Sequence, residues 1–137
     1  MVPDDLKYTR EHEWVRIEGD LAIIGITHHA QEMLGDIVFI ELPEIGEQVE
    51  QMGKIGTIES VKTVSDLYSP LSGTIKEVNN VYMDRIEGRE NPDFHPEYAN
   101  QDPYGNGWIA KLVPSDPGEM DNLLSPEDYK KLLEEEA

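Results

Sequence analysis

Apolar and polar side chains alternate on both sides of a single lysine near the middle of the chain. The runs Lys54–Ser60 and Val64–Tyr68 are rich in β-branched residues, and Lys62 stands between them. A period of two over such runs is typical of half-buried β-strands. We therefore predict a β-hairpin that presents Lys62 at an exposed tip.

Short apolar runs separated by glycine and proline continue along most of the chain. The first two runs flank Gly19-Asp20 and predict another hairpin. Its expected core residues are Trp14, Val15, Ile17, Ile23 and Ile26. Further strands are predicted at 36–42, within 44–50 after a turn, and at 74–78 and 108–113. Many short strands of this kind indicate a mainly β fold, either a sandwich or a barrel.

A short helix is predicted between Thr27 and Gly35. The Thr27 hydroxyl is suited to cap its N-terminus, and Gly35 stands where a left-handed glycine commonly ends a helix. His28 and His29 are adjacent, and neighbours on a helix point about 100° apart, so they chelate a metal poorly. Because no cysteine and no suitably spaced third ligand accompanies them, we expect a structural or surface role.

Two start signals predict helices at the C-terminus. Asp116-Pro-Gly-Glu119 and Ser125-Pro-Glu-Asp128 each place a capping residue before a proline. The stripe expected to pack on the strands consists of Tyr129, Leu132 and Leu133. Residues 134–136 are expected to fray. Before these helices, residues 79–101 are rich in charge and in glycine, proline and asparagine, and predict a long surface loop with room for one helical turn.

Composition narrows the class of protein without naming a function. The 137 residues suffice for one domain over 1–137, with strands at about 8–113 and C-terminal helices at about 116–135. A formal net charge of −18 disfavours nucleic acid and anionic membranes, and it favours solubility or positively charged partner surfaces. No apolar run is long enough to span a membrane, and the N-terminus carries no export signal. We expect a cytoplasmic location.

No motif in the sequence indicates a complete catalytic site. The chain has no cysteine, and nothing resembles a Ser-His-Asp arrangement, a glycine-rich phosphate loop or a spaced metal set. His95 lies between Phe94 and Pro96 and is assigned no chemistry. We predict a non-catalytic carrier or binding module.

Lys62 admits two interpretations on pattern alone. An ordinary solvated turn lysine is the simpler one. Against it, the neighbours are Val61 and Thr63 rather than the glycine, asparagine or aspartate of tight hairpins, and Glu59 and Asp66 flank the lysine. Both interpretations stay open at this point.

Several contiguous motifs are distinctive and extend over nearly the whole chain. The segment around the lysine is Glu59-Ser-Val-Lys62 with Ser65-Asp-Leu-Tyr-Ser-Pro70. Other such segments include Tyr8-Thr-Arg-Glu-His-Glu-Trp14, Leu34-Gly-Asp-Ile-Val38, Asp102-Pro-Tyr-Gly105 and Pro114-Ser-Asp-Pro117. Together these motifs resemble the glycine cleavage H-protein family of lipoyl carriers, and the segment around Lys62 matches the lipoylation segment of that family.

The resemblance implies a role for particular residues. Lys62 corresponds to the lysine that carries covalently attached lipoate, and Glu59 is a candidate for recognition by the lipoate-attaching enzyme. Gly46 and Gly73 stand at the set distances that glycines keep from the lysine in lipoyl modules. Replacing Gly73 with valine is expected to impair lipoylation by misplacing the hairpin, if this glycine adopts positive φ.

The resemblance also implies a fold and a cycle. The fold is a lipoyl/biotinyl-type β-sandwich, or barrel-sandwich hybrid, with short helices that include the C-terminal ones. The arm accepts an aminomethyl group from a pyridoxal-phosphate glycine decarboxylase and presents it to a tetrahydrofolate-dependent aminomethyltransferase. Dihydrolipoyl dehydrogenase then reoxidises the dithiol. We expect the helix after Thr27 and its neighbouring loops to shelter the loaded arm.

Alternatives remain beside glycine cleavage. His28-His29 and Thr63-Val64 depart from the residues common in the family, and related lipoyl carriers serve sulfur oxidation or lipoate relay. A biotin carrier is disfavoured because Val61 and Thr63 replace the two methionines that flank its lysine. An unmodified interaction module with a solvated Lys62 is the alternative from a different class.

Overall fold

A computed structural model describes all residues, 1–137, and the fold is mainly β. Its strands are β1 (Lys7–Tyr8), β2 (Glu13–Glu18), β3 (Leu21–Ile26), β4 (Ile37–Glu41), β5 (Gln48–Val49), β6 (Lys54–Ser60), β7 (Val64–Tyr68), β8 (Gly73–Val78), β9 (Arg85–Ile86), β10 (Arg89–Glu90) and β11 (Ala110–Pro114). The α-helices are α1 (His28–Leu34), α2 (Tyr98–Gln101) and α3 (Pro126–Glu136). Two 3₁₀ segments, Asn80–Tyr82 and Pro117–Asn122, complete the elements.

The strands form two main antiparallel sheets that remain open. One sheet has six strands in the order β1-β2-β3-β11-β8-β5, and the other has three in the order β4-β6-β7. The predicted hairpins are both present, as β2–β3 around Gly19 and as β6–β7 around Lys62. The prediction of a β-sandwich with short helices is confirmed.

A shared hydrophobic core joins the two sheets. It contains 18 buried residues, among them Ile24 and Leu112 of the six-stranded sheet and Ile40, Ile58 and Leu67 of the three-stranded sheet. Burying apolar side chains from both sheets in one cluster fixes one sheet against the other. The hairpin that carries Lys62 is therefore attached to the core along its strands.

A second, smaller core fixes α3 to the edge of the six-stranded sheet. Its six buried residues are Leu6, Tyr8, Trp14, Ile23, Tyr129 and Leu132, with Leu133 packed partly buried against them. The rings of Tyr8 and Tyr129 stack with centroids 4.5 Å apart and an interplanar angle of 7°. The predicted apolar stripe of α3 is confirmed.

The predicted caps of the helices are also present. The Thr27 hydroxyl accepts a hydrogen bond from the Ala30 amide, and the Ser125 hydroxyl accepts one from the Asp128 amide. Asp116 caps the 3₁₀ segment by accepting from the Gly118 amide. Each of these bonds satisfies an amide that the first helical turn leaves without a partner.

Three predictions about local structure were wrong. Ile17 is 47% exposed, because burial decreases along β2 toward the Gly19-Asp20 turn, although its partner Ala22 on β3 is buried. Residues 79–101 contain the predicted helical turn as α2, and also a β9–β10 ribbon around Glu87 and Gly88. The last residues do not fray, since α3 continues to Glu136.

Candidate functional site

The hairpin tip around Lys62 is built on the side chain of Ser60. This serine is 7% exposed, and its hydroxyl accepts hydrogen bonds from the amides of Lys62 and Thr63 at 3.3 and 3.1 Å. The Ser60 amide donates to the Thr63 carbonyl oxygen at 2.8 Å. These bonds satisfy the backbone of the tip without any contribution from the lysine side chain.

No residue of the tip has positive φ. Tight two-residue hairpins require positive φ and therefore favour glycine or asparagine. Here the Ser60 hydroxyl accepts the hydrogen bonds that amides of a tighter turn would donate to a carbonyl oxygen. The tip can therefore keep negative φ and accommodate Val61 and Thr63. The absence of glycine at the tip, which stood out in the sequence, has this physical cause.

A bond to the neighbouring strand fixes the tip from outside the hairpin. The Val61 amide donates to the Asp36 carbonyl oxygen at 3.0 Å, just before β4 begins. The side chains of Val61 and Val64 are 70% and 63% exposed. The tip therefore combines a fixed backbone with an apolar outer surface on both sides of Lys62.

The Lys62 side chain is exposed and makes no ion pair within 4 Å. Its stem passes over Gly35, which ends α1 with φ 78°. A Cβ atom at Gly35 would lie 3.3 Å from Lys62 Cε and 3.9 Å from Nζ. The C-terminal end of α1 is thus the neighbour of the lysine, and its amine stays accessible to a reagent or enzyme.

The two acidic residues that flank Lys62 in sequence differ in their contacts. Asp66 lies 3.3 Å from Lys54 Nζ and accepts a hydrogen bond from the Tyr68 hydroxyl at 3.4 Å. Glu59 is exposed on β6 opposite Val64 and joins no ion pair. Of the two carboxylates, Glu59 is the one left free to meet an approaching protein.

Gly46 and Gly73 both lie in or beside the six-stranded sheet, away from the β6–β7 pair. Gly46 has φ 92° in the turn before β5, and its amide donates to the Ile75 carbonyl oxygen. Gly73 has no positive φ, so the left-handed conformation considered for it is wrong. A Cβ atom there would lie 2.2 Å from the Val113 carbonyl oxygen, so the position needs glycine for the close approach of β8 to β11.

The opposite end of α1 is a buried polar cluster that the sequence did not reveal. The Tyr129 hydroxyl lies 2.7 Å from Thr27 Oγ1 and 2.8 Å from His12 Nδ1. Burial raises the pKa of Tyr129, so its hydroxyl stays protonated. Burial also lowers the pKa of His12, against the opposing attraction of Glu136. This cluster joins α1 and the start of β2 to α3.

Glu13, beside this cluster, is a buried carboxyl group with 2% of its surface exposed. It accepts hydrogen bonds from the Thr9 hydroxyl at 2.5 Å and from the Tyr68 amide at 3.3 Å. Desolvation outweighs these bonds and raises the pKa of Glu13 to about 7. Sequence reasoning missed this residue because an acidic side chain beside Trp14 gives no sign of burial.

The adjacent histidines diverge, as expected, but one of them meets two distant residues. His28 Nε2 lies 3.0 Å from the Glu32 carboxylate on the surface of α1. The ligand atoms of His29, His12 and Glu136 all lie within 4.8 Å of one another. Nothing in the sequence indicated this grouping, and the expected structural or surface role of His28 and His29 stays a prediction. His95 stacks on Tyr98 and takes part in no such cluster.

Lys62 lines none of five cavities on the surface of the fold. The one between Tyr8, Gln51 and Leu123 has a volume of about 180 Å³. None of the helices has both the length and the apolar character needed to cross a membrane. The distinctive features are thus an open lysine tip and a buried polar cluster at opposite ends of one short helix.

Comparisons with known proteins agree with the motifs around Lys62. A family model described as glycine cleavage H-protein matches residues 6–136. The glycine cleavage system H protein of Carboxydothermus hydrogenoformans is 52% identical over 137 residues, covering 100% of this chain and 98% of that protein. The H protein of Rubrobacter xylanophilus is 54% identical over 135 residues, covering 98% and 97%.

A solved structure extends the similarity to the fold. The crystal structure of a glycine cleavage system H protein from Mycobacterium marinum superimposes with a TM-score of 0.80 at 41% identity. The match covers 95% of this chain and 97% of that one.

Proposed function

Because the chain belongs to the glycine cleavage H-protein family, a family of lipoyl carriers, we propose that it carries lipoate on Lys62 and serves glycine cleavage. One observation supports this assignment above the others. Lys62 stands at a tip whose backbone is satisfied by Ser60, while its own amine makes no ion pair and remains exposed.

The residues at the tip fit a lipoyl group bound through an amide. The protonated Lys62 amine first loses one proton. Its Nζ then bonds to the lipoyl carboxyl carbon, the bond from that carbon to the leaving group of an activated lipoyl donor breaks, and a second proton is released from the nitrogen. No existing contact of Lys62 has to break, because the stem only passes over Gly35. The amide removes one positive charge from a chain whose formal net charge is already −18.

The bound lipoyl group would supply the transfer chemistry: it would accept the aminomethyl group from the pyridoxal-phosphate decarboxylase and give it to the aminomethyltransferase. Dihydrolipoyl dehydrogenase would then reoxidise it to the disulfide. The chain itself would contribute by fixing the point at which the arm is attached. The Ser60 bonds and the Val61–Asp36 bond hold the base of the arm, so its flexible part samples a small volume around a fixed point. A tethered group reaches a docked active site at high effective concentration.

The surface near the tip suits contact with enzymes. Val61 and Val64 provide exposed apolar area beside the lysine, and Glu59 provides a free carboxylate. We propose Glu59 as a residue that the lipoate-attaching enzyme recognises. The overall negative charge favours partners with positive docking surfaces, and the proposed place of work is the cytoplasm.

Intact-mass measurement after incubation with lipoate, ATP and a lipoate-attaching enzyme tests the attachment site. The wild-type chain should gain one lipoyl group, and Lys62→Ala should gain none. Lys76→Ala is a matched control, since Lys76 is exposed on β8 and also makes no ion pair. That variant should be lipoylated as fully as the wild type.

Two outcomes would contradict the proposal. A wild-type chain that gains no lipoyl mass would be the unmodified interaction module. A lipoyl group that Lys62→Ala still accepts would place the attachment on another residue. A biotin carrier is tested in the same way, by exchanging lipoate for biotin and supplying a biotin-attaching enzyme.

A further inference from the structure

We infer that His12, His29 and Glu136 form a binding site for one Zn²⁺ ion, independent of the proposed lipoyl function. Two imidazoles and a carboxylate are a ligand set that zinc uses in proteins. The three residues come from the position just before β2, the first turn of α1 and the last turn of α3. Nothing in the chemistry at Lys62 requires them to meet.

The three ligand atoms already surround a small common space. Glu136 Oε1 lies 3.0 Å from His12 Nε2 and 3.8 Å from His29 Nε2. All three atoms lie within 4.8 Å of one another. Ligands at about 2.0–2.1 Å from a tetrahedral zinc ion are about 3.3 Å apart, so side-chain shifts of about 1 Å complete the site.

His29 Nε2 gives independent support for a ligand. This atom is buried and has no hydrogen-bond partner. A buried polar atom without a partner loses its hydrogen bonds to water and gains none in the protein, which costs free energy. A metal ion between it and Glu136 would use its lone pair, whereas the neighbouring His28 is already paired with Glu32 on the surface.

Tyr129 holds His12 in the orientation that a metal ligand needs. Its hydroxyl lies 2.8 Å from His12 Nδ1 and 2.7 Å from Thr27 Oγ1. With the proton on Nδ1 donated to Tyr129, the lone pair of Nε2 faces Glu136 and His29. Metal-binding histidines usually donate their other ring nitrogen in this way, which fixes both tautomer and ring position.

The electrostatics at the end of α3 also favour a cation. Residues 134–136 are all glutamates, and the last turn of the helix has no basic residue. Acidic side chains at a helix C-terminus oppose the helix dipole, and a positive charge there is stabilising. A zinc ion bound by Glu136 would supply that charge.

His12 itself has φ 72°, a conformation that non-glycine residues seldom adopt. Such strain persists where the surrounding structure fixes it, and it is frequent at ligand sites. A zinc ion would link α3 to α1 and to the position just before β2, and it would join residues as distant in sequence as His12 and Glu136, which are 124 positions apart. Three protein ligands would leave one coordination position for water.

Zinc titration of the full-length chain, without an affinity tag and after removal of metals with a chelator, tests the site. Competition with a chromophoric zinc chelator should show one tight site per chain. His29→Ala and Glu136→Gln should each weaken that site on the order of 100-fold, and Tyr129→Phe about 10-fold. His28→Ala is the matched control and should leave the affinity unchanged.

Cobalt and thermal unfolding give second readouts. Co²⁺ at this site should show the visible absorption of a tetrahedral complex, which His29→Ala should abolish. Zinc should raise the melting temperature of the wild type and of His28→Ala, but not that of His29→Ala. Absence of stoichiometric zinc binding would overturn the proposal. So would an equal loss of affinity in His28→Ala and His29→Ala, which would indicate only diffuse binding to surface groups.

Discussion

The two ends of helix α1 are built on opposite principles. At its C-terminal end, the Lys62 side chain passes over Gly35 with no ion pair, and the hydrogen bonds of the hairpin tip leave that side chain out. At its N-terminal end, the hydroxyl of Tyr129 in α3 bonds to the side chains of both Thr27 and His12, and Tyr129 is itself buried in the second core.

Under the proposed function, the difference separates a side chain that must move from the part of the fold that holds its backbone in place. A carrier lysine must be free of contacts that an enzyme would have to break, while its base must stay in place. The polar cluster joins the start of α1 to α3, and Ala30 of α1 is buried in the core that the two sheets share. The three-stranded sheet holds the tip. We therefore expect substitutions at the two ends to affect different quantities.

The largest expected contrast is between Tyr129→Ala and Lys62→Ala in urea unfolding. Tyr129 is fully buried, so its loss should lower the free energy of unfolding by about 3–5 kcal/mol. Lys62→Ala should change it by less than about 0.5 kcal/mol, because the side chain is exposed and unpaired. Lys130→Ala, an exposed neighbour of Tyr129 on α3, is the control and should also be nearly neutral. A large loss of stability in Lys62→Ala would contradict the expected difference between the two ends of α1.

Glu13 should make stability depend on pH at the anchored end. Its pKa in the folded chain is raised to about 7 from 4.5, so folding favours the protonated carboxyl group. That contribution is complete below about pH 4.5 and is lost as pH rises through 7. Relative to Glu13→Gln, the wild type should lose about 3 kcal/mol of unfolding free energy over this range.

Unfolding curves of wild type and Glu13→Gln at several pH values, with chelator present, measure this difference. The glutamine keeps the shape and the neutral hydrogen bonding of the protonated acid. Parallel pH profiles for the two proteins would show that Glu13 is ionised at little cost in the folded chain.

A smaller effect is expected where α1 meets Lys62. Gly35 has φ 78° and ψ −157°, a conformation almost confined to glycine, so Gly35→Ala should cost about 1–3 kcal/mol. The new methyl group would also contact the lysine stem, so lipoylation should slow several-fold. Gly88 has the same φ but open space around it, so Gly88→Ala provides the matched control.

Time-resolved intact-mass measurement compares these glycine variants. Gly88→Ala should be lipoylated at the wild-type rate. Equal rates for all three proteins would show that the end of α1 does not influence access to Lys62.

Local signals predicted most of the fold. Alternation located β6 and β7 to the residue, and capping residues located the starts of α1 and α3, because each signal acts within three or four residues. The β9–β10 ribbon was not predicted, because its strands are two residues long and exposed, with no apolar pattern that would indicate them.

The candidate sites divide in the same way. Lys62 could be predicted because its motif is contiguous. The cluster of His12, His29 and Glu136 could not, because its members are far apart in sequence and meet only after α3 packs beside β2. The role of Gly73 in supporting the hairpin stays a prediction, whereas its close approach to β11, which a Cβ atom would obstruct, shows only in the folded chain.

The most direct test of the central claim is glycine–bicarbonate exchange with the pyridoxal-phosphate decarboxylase of a glycine cleavage system. The chain lipoylated on Lys62 should support exchange, and the same preparation without lipoate should not, nor should Lys62→Ala after the same treatment. An H protein of established activity serves as the positive control. If the lipoylated chain fails while that control succeeds, Lys62 carries its arm for another pathway, and the proposed role in glycine cleavage is wrong.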